Sequence, residues 1–595
     1  MSKKLKQRNE IDPNYKWDIE DMYPAEDKWN ADLEEALQLA EQYAALSGTL
    51  TKSSESLLFS LELKDRLWQT LEKPFVYARM RRDEDNREEK YQGMCDKAMG
   101  VVANVSALTS FSTPEILAAG EQVLLGFLAE EPRLETYRFA LMDILRQQAH
   151  VLTHAEENIL AQMSEVNSAT NDIFTMLNNA DMKFGTITDE DGAEVTLTHG
   201  NYITFMESHH REVRKQAFDK MYQAYADLIN TIATSYNYNT KTDVITARIR
   251  KYESARAAAL SGDNIPLSVY DNLVSVVNQS LPTLHRYMEV RKKVLGVEEL
   301  SMHDVYVPLI ELPKKDIPYE EALTIMEEGL APLGEEYLAQ MKKGLAQGWV
   351  DVYENEGKTS GAYSFGCYDS KPYILLNYTH TLKDVFTLVH EMGHSMHSYY
   401  TRTAQPFIYG GHSIFTAEVA STVNENLLMK HLIAKEADPQ MKKYLLNLHI
   451  EEFRTTLFRQ TMFAEFEQLT HEAIEKGETL TAGFLCSEYE KLNKKYFGDA
   501  LSPDDYIQYE WARIPHFYNA FYVYKYATGY SAAAAISDII LKEGSKNYIE
   551  FLKSGESDYP IELLKIAGVD MESPEPIRSA MEVFETLVDE FERLM

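Results

Sequence analysis

Residues 381–401 read TLKDVFTLVHEMGHSMHSYYT, and this segment is the most informative one in the chain. Apolar side chains recur in it at helical spacing, from Leu382 to Met396, and no proline interrupts them. Thr381 and Asp384 stand where an N-cap residue and an acidic first-turn residue are expected. The pattern predicts a helix over about 381–401 with one face seated in a core.

The same segment carries two histidines one helical turn apart. His390 and His394 project from the same side of the predicted helix and can hold one metal ion. Glu391 lies about 100° round the helix from His390, near enough to exchange a proton with water on the metal. The alternative is a surface helix with solvated histidines. Apolar flanks, and five of the sixteen histidines within 380–412, favour a metal site.

A catalytic zinc usually takes three protein ligands, so a third must come from elsewhere. The pattern HExxHxxGxxH would need histidine at position 400, where this chain has Tyr400. His397 is predicted to pack near the ligands rather than to bind the ion. A second helix is predicted over about 413–435, and Glu418 lies near its start among small and apolar residues, where an unpaired carboxylate is costly. Glu418 is therefore favoured, with Glu425 as the alternative.

Composition limits the classes of function. The 595 residues include 59 Lys and Arg against 93 Asp and Glu, a net charge of −34, which argues against nucleic acid or an anionic membrane as partner. The three cysteines have no zinc-ligand or redox spacing and indicate a reducing, cytoplasmic location. No secretory signal and no apolar span of membrane length is found.

The first part of the chain reads as a succession of amphipathic helices followed by a hairpin. Residues 183–198 alternate around a turn signal and predict the β-hairpin. We place a boundary near residue 200, which gives an N-terminal helical domain over 1–200 and a catalytic domain over 201–595. The predicted N-terminal helices include Asp27–Leu46, Glu88–Ser110 and Pro114–Glu130.

Two segments resemble a known family closely. HEMGHSMH at 390–397 and FTAEVAS at 415–421 are similar to the oligoendopeptidase F branch of the thimet-oligopeptidase family of zinc metallopeptidases. That family takes its third ligand from a glutamate in the next long helix, which matches Glu418, and the resemblance implies one Zn²⁺ per chain. It covers essentially the whole chain, including similar stretches at 17–23, 184–198, 361–364 and 516–529.

The resemblance also implies a fold and an activity. We expect a mainly α, multi-helix metallopeptidase with a small β-sheet next to the HExxH helix and a deep substrate channel between two mostly helical halves. The implied reaction is hydrolysis of internal peptide bonds in short, unfolded oligopeptides, with zinc-bound water activated by Glu391. The alternatives are a zinc aminopeptidase or carboxypeptidase, and a metal-binding protein without turnover.

Further candidates come from two segments. The strand-like stretch at 361–378 could pair with an extended peptide through Gly361, Ala362 and Tyr363, or could only support the helix. Tyrosines recur every four residues from 518 to 530, which predicts one helical face and is also typical of packing. The family places a histidine and tyrosines in this region. We therefore predict His516 and Tyr522 as catalytic, with Tyr518 and Tyr530 as substrate contacts.

Overall fold

Helices dominate the chain in the computed structural model, which describes residues 5–311 and 315–595. The structure is 72% helical with only small sheets, which confirms the mainly α prediction. Within the described ranges, no helix is long and apolar enough to cross a membrane. The first four residues of the basic N-terminal segment lie outside the described residues.

The helices and strands follow one another in this order. The α-helices are α1 Glu26–Ala44, α2 Ser54–Glu84, α3 Glu89–Thr109, α4 Ser112–Ala119, α5 Glu121–Glu130, α6 Arg138–Arg146, α7 His154–Met176, α8 His199–Met206, α9 Arg211–Asp227, α10 Ile229–Ile249, α11 Ala255–Ser261, α12 Leu267–Gln279, α13 Leu281–Leu295, α14 Tyr319–Gly329, α15 Glu335–Ala346, α16 Leu382–Ala404, α17 Ile414–Lys435, α18 Pro439–Glu452, α19 Arg459–Glu475, α20 Ala482–Phe497, α21 Tyr524–Glu543, α22 Lys546–Leu552, α23 Pro560–Ile566 and α24 Glu575–Leu594. The β-strands are β1 Thr186–Thr188, β2 Glu194–Thr196, β3 Val350–Asp351, β4 Tyr363–Phe365 and β5 Tyr373–Leu375.

The chain forms two compact units, and each is assembled from separate stretches. The first unit comprises Met1–Ala149, Lys314–His431 and Ile536–Gly568, and the second comprises His150–Pro313, Leu432–Ala535 and Val569–Met595. Residue 200 lies inside the second unit, because α7 before it packs on α10 after it. The limits of the units thus differ from the division into 1–200 and 201–595. That division and the substrate channel stay predictions.

A three-stranded sheet supports α16 in the first unit. Its strand order is β3-β5-β4, with β3 parallel and β4 antiparallel to β5. The central strand β5 is fully buried, and both β4 and β5 contact α16. A small sheet next to the helix was predicted, and the structure confirms it.

Helix α16 begins with a reciprocal cap. The Asp384 N–H donates to Oγ1 of Thr381 at 3.3 Å, and the Asp384 carboxylate accepts the Thr381 N–H at 2.8 Å. Each bond satisfies a backbone N–H that the first helical turn leaves without a partner. The predicted apolar stripe is buried, including Val389 and Met396. The predictions of a helix over 381–401 and of another over 413–435 are therefore confirmed, apart from three further residues at the end of α16.

Two other local predictions had different outcomes. The hairpin is present, because β1 pairs antiparallel with β2 and Ile187 faces Val195. The single helix predicted over Pro114–Glu130 is wrong. Gly120 adopts a left-handed backbone with φ +79° and separates α4 from α5. A left-handed residue cannot continue a right-handed helix.

Candidate functional site

Two helices of the first unit bring three possible metal ligands together. His390 and His394 on α16 each face Glu418 on α17, with Nε2 to Oε2 distances of 3.5 and 3.7 Å. The three donor atoms lie within 4.8 Å of one another. Ligand bonds of about 2.0–2.1 Å in a tetrahedral zinc site put neighbouring donor atoms about 3.4 Å apart. The spacing of the three donors therefore fits one such ion.

The glycine inside the motif allows this close approach. A Cβ added at Gly393 would lie 2.6 Å from the Ser421 Cα and 2.7 Å from the Ala420 carbonyl oxygen. Both of those atoms belong to the backbone of α17, so no side chain could move aside. The buried Asn424 amide also donates to the Val389 carbonyl oxygen at 3.3 Å. The backbone contact and this hydrogen bond join the two helices beside the donor atoms.

Glu425 contacts the same histidine from its other ring nitrogen. Its Oε2 lies 3.2 Å from Nδ1 of His390, so it is outside the three-donor set. Burial lowers the pKa of His390, but the hydrogen bond and charge of Glu425 outweigh it and raise that pKa to about 9. A carboxylate on the second ring nitrogen fixes the orientation and tautomer of a metal-binding histidine.

Glu391 is buried beside the donors. Burial raises the pKa of Glu391 to about 7, although the neighbouring His390 opposes this shift. The backbone of Ser364 in β4 hydrogen-bonds to the Glu391 carboxylate, and the hydroxyls of Ser364 and Ser395 lie 2.7 Å apart. A carboxyl group that titrates near neutral pH can both accept and return a proton.

His397 is buried in packing rather than turned toward the donors. Its ring stacks on His412 with centroids 3.7 Å apart, and the Phe551 ring lies 5.4 Å away. Burial lowers the pKa of His397 well below its usual value and that of His412 to about 3. Neither imidazole belongs to the three-donor set found among the described residues.

The candidate substrate strand lies at one edge of the sheet. Strand β4 pairs with β5 alone among the described strands. The Tyr363 hydroxyl donates to Asp83 at 2.9 Å, and the Gly361 carbonyl oxygen accepts from the Asn377 amide at 2.8 Å. The side chain of Tyr363 is therefore engaged in packing. Any contact with a peptide here would be made through the backbone of Gly361 and Ala362.

The tyrosine-rich segment of the second unit differs from its prediction. Helix α21 begins only at Tyr524, so the expected single helical face from 518 to 530 is wrong. The helix cannot extend back to Tyr518 because Phe521 has φ +54°, which a right-handed helix does not allow. Tyr518 stacks on Phe174 with ring centroids 4.5 Å apart. The buried Tyr530 packs 4.9 Å from the Phe453 ring.

Three side chains of this segment form a group that we call the His516 cluster: His516, Tyr522 and Tyr526. The rings of His516 and Tyr522 are nearly parallel, with centroids 5.9 Å apart, and the Tyr526 ring lies 5.5 Å from that of Tyr522. The Tyr526 hydroxyl is 3.4 Å from Nε2 of His516. Burial lowers the pKa of His516, which favours the neutral ring. Tyr526 was not among the predicted site residues, although its spacing from Tyr522 was a visible signal.

Comparison with known proteins agrees with the resemblance seen in the sequence. The chain matches Peptidase family M3 over residues 204–583 and the family described as Oligopeptidase F over 115–184. It is 48% identical to Oligopeptidase PepF of Bacillus subtilis over 594 residues, covering 99% of this chain and 89% of that protein. It is 43% identical to the Oligoendopeptidase F homolog of Lactococcus lactis, covering 99% of each.

Solved structures show the same relationship. Oligoendopeptidase-F from Enterococcus faecium is 39% identical, with a TM-score of 0.74 and coverage of 96% of this chain and 99% of that one. A protein from Chlamydophila abortus reaches a TM-score of 0.94 at 37% identity, covering 100% of each chain. Similarity of this extent, over the whole length, is what members of one family share. The chain therefore belongs to Peptidase family M3, as an oligopeptidase of the oligoendopeptidase F branch.

Proposed function

We propose that the protein is a zinc-dependent endopeptidase that hydrolyses internal peptide bonds of short, unfolded oligopeptides. The arrangement of His390, His394 and Glu418, with Glu391 buried beside them, carries this proposal. Two imidazole nitrogens and one carboxylate form a donor set that zinc prefers, and three protein ligands leave a position open. We therefore assign one Zn²⁺ per chain to these residues.

The chemistry divides between the ion and the chain. A bound Zn²⁺ lowers the pKa of water that it ligates and polarises a carbonyl oxygen. Glu391 accepts a proton from the attacking water and delivers it to the leaving amine. Burial disfavours the charged form of the Glu391 carboxylate, which favours uptake of the proton from water. Glu425 holds the His390 ring so that Nε2 faces the donor set.

Residues of the His516 cluster are assigned to the substrate. We propose that His516 and Tyr522 donate hydrogen bonds to the substrate as negative charge develops on its carbonyl oxygen. The contact between Tyr526 and His516 supports adding Tyr526 to this group. The roles predicted for Tyr518 and Tyr530 stay predictions. The Tyr518 ring also packs on Phe174, and the Tyr530 ring packs on Phe453.

Peptides blocked at both ends test whether cleavage is internal. We expect an N-acetylated, C-amidated peptide library to be cut at internal bonds and a chelator to abolish cutting, with zinc restoring it. If the enzyme instead releases only terminal residues, and does so only from peptides with free ends, it is an aminopeptidase or a carboxypeptidase. A folded protein serves as the control and is expected to remain intact, because the proposed substrates are short and unfolded.

The cytoplasmic location is likewise a proposal. Cys95, Cys367 and Cys486 are all free and buried, which supports a reducing compartment. The net charge of −34 supports oligopeptides, rather than nucleic acid or an anionic membrane, as partners. Fractionation of the cells that produce the protein would test the location, and recovery outside the cytoplasmic fraction would contradict it.

A further inference from the structure

A buried glutamate contacts the backbone of the tyrosine-rich segment. Glu467 on α19 has no solvent exposure, and its Oε1 accepts the backbone N–H of Phe521 at 2.6 Å. Its Oε2 has no hydrogen-bond partner among the described residues. A carboxyl group buried in this way is costly. The hydrogen bond to Phe521 is therefore the polar contact through which the Glu467 side chain can act.

Phe521 has a backbone conformation that phenylalanine rarely adopts. Its φ of +54° lies in the left-handed region, which disfavours residues with a Cβ. Such a conformation persists only where the surroundings impose it, and it is frequent at functional sites. Here the Glu467 hydrogen bond fixes the Phe521 amide. The rings of His471 and Tyr270, with centroids 4.5 and 5.8 Å away, enclose the Phe521 side chain.

This conformation determines where the next residue points. Phe521 directly precedes Tyr522 and lies three residues before the start of α21 at Tyr524. Directly after this turn, the Tyr522 ring lies beside those of His516 and Tyr526, at 5.9 and 5.5 Å between centroids. Released from its hydrogen bond, Phe521 would favour a negative φ, and the Tyr522 side chain would leave the His516 cluster.

The chemical state of Glu467 suggests a matched substitution. Burial raises the pKa of Glu467 to about 8, although His471 and the Phe521 N–H oppose the shift. This shift favours the uncharged, protonated form of the group. Glutamine has the same shape and the same carbonyl acceptor, whereas methionine has a similar length and no acceptor. The His471 ring does not depend on the Glu467 side chain for its position. Its Nδ1 lies 2.8 Å from the backbone carbonyl oxygen of Glu467, and its Nε2 lies 3.5 Å from the Asp243 carboxylate.

We propose that Glu467 is a positioning residue: by accepting the Phe521 N–H it holds the left-handed turn that places Tyr522 within the His516 cluster. The effect on catalysis rests on the proposed role of Tyr522, whereas the effect on the segment does not. Glu467 itself does not touch the substrate in this assignment. It acts through one backbone bond.

Hydrogen exchange of the full-length protein tests the positioning directly. We expect slow exchange of the Phe521 amide in the wild type and in Glu467→Gln, and at least tenfold faster exchange in Glu467→Met. Glu472→Met is the matched control, because Glu472 lies on the same helix with a half-exposed side chain bonded to Gln468 and Lys476. Fast exchange of the Phe521 amide in the wild-type protein would by itself overturn the proposal. Equal protection of this amide in Glu467→Gln and Glu467→Met would also overturn it.

Kinetics then test the link to catalysis. We expect Glu467→Met to lower kcat about 100-fold with little change in KM, because a displacement of about 1 Å can have that effect. Glu467→Gln is expected to retain activity within about threefold, given its retained acceptor. Zinc content and thermal unfolding confirm that each variant is folded and loaded.

A double substitution separates the two proposals. If Glu467 acts through Tyr522, then Tyr522→Phe should lower kcat in the wild type and have little further effect in the Glu467→Met background. Fully additive losses would overturn the action through Tyr522. A silent Tyr522→Phe in the wild type would contradict the proposed function of Tyr522 instead, and the exchange data would still decide whether Glu467 holds the segment.

Discussion

Glu425 and Glu418 contact opposite nitrogens of one imidazole. The Glu425 carboxylate lies 3.2 Å from Nδ1 of His390, whereas that of Glu418 lies 3.5 Å from Nε2. The two glutamates are seven residues apart, two turns along α17, and so project from the same side of it. In the proposed site, one helix therefore supplies both a donor for the ion and the group that orients another donor.

This difference predicts unequal effects on zinc binding. Glu418→Ala removes a proposed ligand and should abolish stoichiometric zinc binding at micromolar zinc. Glu425→Ala removes only the orienting contact and should weaken zinc affinity about 10–100-fold. Competition with a chelator of known affinity measures both. Equal zinc retention by the two variants would remove Glu418 from the donor set.

Glu391→Gln should separate metal binding from turnover. The amide keeps the size of the side chain but cannot accept a proton, so we expect full zinc content and a loss of kcat of about 10²–10⁴-fold or more. Elemental analysis and hydrolysis of a quenched fluorescent peptide give the two quantities. Turnover near that of the wild type would contradict the role of Glu391 in proton transfer.

Gly393→Ala should disturb both stability and the metal site. The new methyl group would meet backbone atoms of Ser421 and Ala420 at 2.6 and 2.7 Å, so α17 would have to shift. We expect a loss of about 1–3 kcal/mol in unfolding free energy and weaker zinc binding. Gly100→Ala in α3 is the control, since a Cβ there meets nothing within 4 Å. Similar behaviour of the two variants would rule out the proposed steric effect.

The buried carboxyl group of Glu467 should make stability depend on pH. Its pKa is about 8 in the folded protein against 4.5 for the free group, so the folded state holds this proton more tightly. Binding of this proton contributes fully to the free energy of unfolding below about pH 4.5. The contribution is lost as the pH rises through 8, by at most about 1.4 kcal/mol per pH unit. Denaturant unfolding between pH 5 and 9 should therefore show the wild type losing stability relative to Glu467→Gln. A constant difference between the two proteins would contradict the raised pKa.

Tyr522→Phe should lower kcat more than it raises KM. The hydroxyl is assigned to a charge that develops only during the reaction, so its loss should affect the transition state more than substrate binding. Tyr238→Phe, at a largely exposed position of α10, is the control and should be silent. An unchanged kcat in Tyr522→Phe would leave this tyrosine with a packing role only.

Local signals account for what could be predicted around the metal site. The cap formed by Thr381 and Asp384 and the apolar stripe that follows it are short-range features, so α16 was predicted within a few residues. Helix α17 is buried on almost every side and lacks a polar face, so periodicity could not choose between Glu418 and Glu425. The small and apolar neighbours of Glu418 favoured it, and the family resemblance agreed with that choice.

Long-range contacts account for what could not be predicted. A tyrosine every four residues suits a helix, but the backbone at Phe521 is held by Glu467, 54 positions earlier in the chain. Nothing in the local sequence signals that bond. The two compact units are likewise built from stretches far apart in sequence, and no local signal along the chain indicates that they come together.

The close contact at Gly393 has a consequence for the evolution of this enzyme. Main-chain atoms are the same at every position, so the contact of α16 with the main chain of Ala420 and Ser421 does not depend on which side chains those residues carry. Substitutions in the surrounding core can therefore accumulate while the ligand spacing stays constant. We expect tolerance of amino-acid exchange at 420 and 421 for residues of similar size, and near-complete intolerance at 393. In a deep mutational scan for peptidase activity, position 393 should tolerate as few substitutions as His390 and His394 do.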